Sequence, residues 1–140
     1  MQQPEPSDIV KQMMATDRFS QWLGIEVMEI AKGYCRLEMK IREDMTNGFG
    51  IAHGGISFSV ADSALAFASN AGGRKSLSIE TSISHLVRLQ VGDCLVAEAQ
   101  CEAETDKLGH YQIKLYKKNE AEIPVALFKG MVYRTSKIWE

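Results

Sequence analysis

The chain has 140 residues, 45% of them hydrophobic and 24% charged, which fits one compact domain with a buried core and leaves little for a second. A formal net charge of −2 and an isoelectric point near 5.9 argue against a general nucleic-acid binder. The opening residues lack the basic start and apolar run of a secretory signal, and no apolar stretch reaches the ~18 residues of a membrane span, so a cytoplasmic protein with no membrane partner is expected.

In chain order, Ser7 is expected to cap a first helix, with Asp8 in its first turn and Ile9, Met13 and Met14 near helical spacing. This short helical segment, 7–23, ends at Gly24. Ile25 and Val27, then Cys35, Leu37, Met39 and Ile41, alternate as strands do, and Lys32-Gly33 makes the turn of a hairpin. Residues 42–53 read as a polar, glycine-containing loop. Residues 55–71 are apolar on almost every face, the mark of a helix enclosed by protein, and Gly72-Gly73 stops it. Four strand-like runs follow at 77–83, 95–101, 111–115 and 126–132, separated by turns at Gly92-Asp93, Lys107-Leu108-Gly109 and Asn119-Glu120. The order predicts an α+β fold, a curved antiparallel sheet wrapped around one long central helix. One helix covers one side only, so a partner chain is expected.

The three cysteines, an odd number, fit a reducing compartment. Cys94 and Cys101 lie an odd number of positions apart and would point to opposite faces of one strand, and His53, His85 and His110 have no metal-ligand spacing, so neither a metal nor a cofactor is expected.

Two features of the central helix carry chemistry. At its start, His53-Gly54-Gly55 offers first-turn N–H groups with no partner inside the helix, placed to hold a carbonyl oxygen as negative charge develops on it. The plainer alternative is a tight loop-to-helix turn. Within the apolar run stands one carboxylate, Asp62, whose desolvation costs several kcal/mol unless something uses it. It reads as a general base for water or a direct nucleophile in acyl transfer, against the alternative of facing a solvent gap or capping a neighbouring chain. From Gly54 to Asp62 is ~12 Å along the axis, whereas a base and an oxyanion donor serving one carbonyl should lie within roughly 6 Å. The expectation is therefore that Asp62 works with Gly54 of a second subunit across a twofold axis.

Asn47-x6-Gly54 within "NGFGIAHGG", Asp62 nine residues past His53, "LVRLQVGD" at 86–93 and "VALFKGMVYR" at 125–134 resemble the hotdog-fold acyl-CoA thioesterases of the phenylacetate-degradation, PaaI-like type. The resemblance runs from about residue 19 to 134 and implies one hotdog thioesterase domain over 1–140. It also implies that Asp62 is base or nucleophile, that the Gly54 N–H polarises the thioester carbonyl, that Asn47 positions water or thioester, and that His53 orients the helix start beside Gly55. Ser78 resembles a water-orienting hydroxyl. The segment His85–Gln90 resembles a coenzyme A-contacting strand end, with Arg88 suited to phosphate; Leu89 departs from the proline usual there. Lys107 is a further phosphate candidate, against a solvated turn lysine. The implied substrate is an acyl-CoA, phenylacetyl-like or medium-chain, and the implied assembly a dimer with shared sites, extended to a tetramer.

The rival readings are weaker. Gly55-Ile56-Ser57-Phe58-Ser59 lacks the last glycine of a serine-hydrolase elbow and follows a loop rather than a strand. A hotdog dehydratase would need a histidine base in another setting. The alternative from a different class is a non-catalytic acyl-CoA-binding accessory protein.

Overall fold

The computed structural model describes residues 3–140. Two short helices come first, α1 (Pro6–Thr16) and α2 (Arg18–Leu23). α1 begins one residue before the expected cap. Pro6 sits at the first helical position, where its missing N–H costs nothing, and Glu5 precedes it without a side-chain cap. Asp17 caps α2 by accepting from the Ser20 N–H, and Gly24, at φ 77°, ends it. The hairpin β1 (Glu26–Ala31) and β2 (Tyr34–Lys40) turns at Gly33, φ 73°.

A loop containing a 3-10 turn at Glu43–Met45 leads into the long helix α3 (Gly54–Asn70). Four strands follow: β3 (Arg74–His85), β4 (Cys94–Glu104), β5 (Leu108–Lys117) and β6 (Pro124–Ile138). All six strands form one antiparallel sheet in the order β1-β2-β4-β5-β6-β3. β3 and β6 run well past the alternating apolar residues that signal them, and a bulge between Ser78 and Glu80 breaks the alternation of β3.

The sheet corrects the expectation of a curved wrap: it is an open layer, neither strongly curled nor closed, with β1 and β3 as its edges. Helix α3 lies across one face. Phe67, Leu65, Phe128, Leu37, Leu95 and Ile113 are fully buried between the two. Leu65 comes so close to β6 that a Cβ on Gly130 would stand 2.5 Å from its Cδ2, which is why that strand position has no side chain. Ten residues of α3 are buried, and the other seven form one partly uncovered stripe at helical spacing: Gly54 and Gly55 are exposed, Ser59, Asp62, Ala66 and Ser69 half-buried, and Phe58 reaches from its edge to meet Phe128 at 5.2 Å. A sheet that wrapped the helix would have enclosed it.

Candidate active site

The approach to α3 is held by hydrogen bonds rather than by regular structure. Asn47 Oδ1 accepts from the N–H groups of Phe49 (2.9 Å) and Ile51 (3.4 Å), and Gly50, at φ 76°, completes the tight loop. The His53 N–H donates to Met45 O and the Ala52 N–H to Leu89 O, each at 2.8 Å, which ties the loop to the segment after β3. The Leu89 side chain is buried, and its N–H has no acceptor among the described residues, so a proline at this point would forfeit no backbone hydrogen bond. Asn47 spends its carbonyl oxygen on the loop; its amide nitrogen has no acceptor among the described residues.

His53 caps α3. Its Nδ1 accepts from the Gly55 N–H at 2.9 Å and its carbonyl from the Ile56 N–H at 2.9 Å. A Cβ on Gly55 would stand 3.1 Å from that nitrogen, so the small residue lets the imidazole close on the helix end. The Gly54 N–H is left without an acceptor among the described residues, an unpaired donor at the positive end of a seventeen-residue helix.

Gly54 opens onto a cleft of about 360 Å³ lined by Asn47, Ser57, His85, Arg88 and Leu89, among others. The His85 Nε2 would lie 3.3 Å from a Cβ on Gly54, so this imidazole stands directly over the helix start. Arg88 is exposed and forms no ion pair with a carboxylate among the described residues. The cleft thus offers a neutral donor at one end and a planar cation at the other.

Asp62 faces a different, smaller groove of about 130 Å³ with Leu65, Ala66, Leu77, Ser78 and Val132. Its carboxylate accepts no hydrogen bond among the described residues. Burial pushes its pKa above the usual carboxylate value, and the negative charge of Asp17 adds to the effect. Asp17 is itself held by Ser20, whose Oγ lies 2.7 Å from Asp17 Oδ2 and 2.8 Å from the Oγ of Ser63, the residue after Asp62. Ser20 and Ser63 are both buried.

One chain therefore gathers Asn47, Gly54, His85 and Arg88 into one cleft, with His53 and Gly55 at its side, and sets Asp62 with Ser78 in another. Lys107 sits in the exposed turn between β4 and β5, lining neither. Ser57, which lines the cleft, and the Asp17–Ser20–Ser63 chain escape sequence reasoning because serines at these positions look like ordinary polar residues until tertiary packing buries them.

A cleft at the start of a buried helix and a carboxylate on the helix stripe are groups that acyl transfer can use, and comparison with known proteins supplies the class: a thioester hydrolase. The family model "Thioesterase superfamily" matches residues 49–123, and the chain belongs to that family. Within it the chain is closely related to PaaI-like acyl-CoA thioesterases of the hotdog fold. It is 33% identical over 122 residues to the acyl-coenzyme A thioesterase PaaI of Escherichia coli, covering 87% of this chain and 86% of that one. It superposes on the E. coli PaaI protein from the phenylacetic acid degradation operon with a TM-score of 0.91 at 29% identity, covering 95% of each chain. A mutant of the phenylacetic acid degradation protein PaaI from Thermus thermophilus superposes with a TM-score of 0.80 at 29% identity, covering 85% of this chain and all 100% of that one.

Proposed function

We propose that this chain hydrolyses an acyl-CoA thioester in sites shared between two subunits, each built from the Gly54 cleft of one and the Asp62 of the other. The observation that carries this is the uncovered stripe of α3. It bears, at one end, an N–H that finds no acceptor among the described residues and, eight residues on, a half-buried carboxylate that accepts no hydrogen bond among them, ~12 Å away along the axis and too far to act on one carbonyl. Antiparallel pairing of two such helices brings the two groups together and sets the twofold axis at Phe58, midway between them. Exposed apolar residues on the edge strand β3, Leu77 at 68% and Ile79 at 56%, support a second copy beside the same groove.

In this reading the acyl-CoA enters along the cleft, with Arg88 on a phosphate and His85 and Gly55 near the thioester. The carbonyl oxygen accepts from the Gly54 N–H. Asp62 of the other subunit takes a proton from water as the water oxygen bonds to the carbonyl carbon, Ser78 orienting that water and the Asn47 amide nitrogen holding water or thioester. The intermediate collapses with cleavage of the C–S bond, and the leaving thiolate takes from the Asp62 carboxyl the proton that came from water, which restores the carboxylate. Direct attack by the carboxylate, giving an anhydride that water then opens, uses the same geometry. Phenylacetyl-like and medium-chain acyl groups are the proposed substrates, Lys107 a further phosphate contact, and a tetramer of two dimers the proposed assembly.

The test is thiol release from a panel of acyl-CoA esters by wild type and Asp62→Asn. The reading expects a fall in kcat of about 100- to 10,000-fold with ester binding retained. Undiminished hydrolysis removes Asp62 from the mechanism, and a wild type that binds esters without turnover makes the chain an accessory acyl-CoA-binding protein.

A further inference from the structure

The cleft at Gly54 contains an imidazole for which the reading above has no chemical use. A Cβ on Gly54 would stand 3.3 Å from His85 Nε2, and covalent geometry then keeps that nitrogen within ~6 Å of the Gly54 nitrogen. Two groups that serve one thioester can lie that far apart, a condition that Asp62 of the same chain fails. The sheet delivers the ring from a fixed place. His85 is the last residue of β3, paired with Ala126, and the N–H groups of Leu86 and Val87 both donate to Val125 O, at 2.9 and 3.1 Å. The side chain is exposed and neither ring nitrogen has a hydrogen-bond partner among the described residues. The other two imidazoles are engaged or elsewhere: His53 spends its Nδ1 on the Gly55 N–H, and His110 lies in a separate surface hollow with Glu80, Glu102 and Lys129. Asn47, Ser57 and Arg88 line the cleft beside His85. Imidazole is the side chain suited to giving and retaking a proton in neutral water, which amide, hydroxyl and guanidinium groups are not.

We propose that His85 is the acid that protonates the departing sulfur. This rests on the thioesterase reading. With the carbonyl oxygen on the Gly54 N–H and the CoA arm running toward Arg88, three residues beyond His85, the sulfur lies on the arm's side of the carbonyl carbon, where the imidazole stands. Water gives its proton to the Asp62 carboxylate of the other subunit as the C–O bond forms. The C–S bond then breaks with its electron pair moving to sulfur, and the sulfur takes the Nε2 proton of the His85 imidazolium. The proton held by Asp62 passes on to the imidazole, which restores carboxylate and imidazolium together, so His85 carries the last leg of the transfer from water to thiol. A thiol leaves more slowly the higher its pKa, and an acid at this place therefore matters most for an alkyl thiol such as that of CoA.

A leaving-group comparison decides it. Phenylacetyl thioesters of N-acetylcysteamine, an alkyl thiol, and of thiophenol, a far more acidic aryl thiol, are given to wild type, His85→Gln and Asp62→Asn, and kcat/KM is measured by thiol release. His85→Gln keeps a polar side chain in the cleft but cannot transfer a proton. It should lower the value for the alkyl ester about 100-fold more than for the aryl ester. Asp62→Asn should lower both alike, because water must be activated whichever thiol leaves. Loss of folded protein also lowers both alike, so the ratio of the two esters within one variant reports the acid alone. An unchanged ratio in His85→Gln overturns the proposal and leaves the thioesterase reading standing. Hydrolysis undiminished by Asp62→Asn overturns the role of Asp62, and the ratio still decides for or against His85. A wild type that releases thiol from neither ester overturns both.

Discussion

Burial holds the Asp62 carboxyl above the usual carboxylate range, and Asp17 adds to the effect, so ionising it in the folded chain costs free energy. The folded state keeps this proton in a window of pH where the unfolded state has lost it, and stability falls as pH rises through that window. Asp62→Asn therefore raises Tm at pH 7 while removing activity, and the gain vanishes below about pH 4, where both states are protonated. Thermal unfolding at several pH values checks this; an equal or lower Tm at pH 7 contradicts it. Asp17→Asn keeps an N-cap on α2 but removes a charge, which lowers the Asp62 pKa and moves the acid limb of the kcat/KM profile to lower pH. Gly54→Pro tests the donor. His53, at ψ 138°, already has the extended backbone a following proline requires, and the first helical position tolerates proline well. The ring requires the His85 imidazole, 3.3 Å from a Cβ at this position, to give by a few tenths of an ångström; the variant should fold and lose about 100- to 1,000-fold in kcat, measured by thiol release. Asp62 was legible in the sequence because an unpaired charge in an apolar helix is rare. The nearness of His85 to Gly54, or of Asp17 to Asp62, was not, because these residues are distant along the chain and meet only through packing.

Helix α3 was legible as an element for the same reason that it is buried: apolar residues on nearly all its faces. Apart from Asp62 and Phe58, the residues of the stripe break no sequence pattern, since alanine, serine and glycine serve equally well inside a core or at a close contact between helices. Ser59 lies on this stripe beside the proposed axis, half-buried, its hydroxyl donating to Gly55 O at 2.7 Å. Ser59→Arg brings two guanidinium groups together there. The variant should be a folded monomer with native circular dichroism and kcat/KM at least ~100-fold down; an active monomer on sedimentation sinks the pairing of helices. The loop from 42 to 53 was legible as a loop and no further, because its shape depends on where Asn47 Oδ1 and the Leu89 carbonyl direct the backbone.

At the scale of the whole molecule, the alternation of four late strands was enough to anticipate one antiparallel sheet, but not its openness. Curvature depends on twist, bulges such as that between Ser78 and Glu80, and what covers each face, none of which alternation records. The open layer leaves the α3 stripe and the β3 edge uncovered together, side by side where the proposed shared site needs a second subunit. Co-expression of Asp62→Asn with Gly54→Pro measures that claim directly. Each variant alone is expected to be nearly inactive, whereas in the proposed mixed dimer one site would have Gly54 from the first chain and Asp62 from the second. Random pairing should then recover about a quarter of wild-type specific activity. Activity no higher than the sum of the two separate variants would place both groups in one subunit and contradict the account.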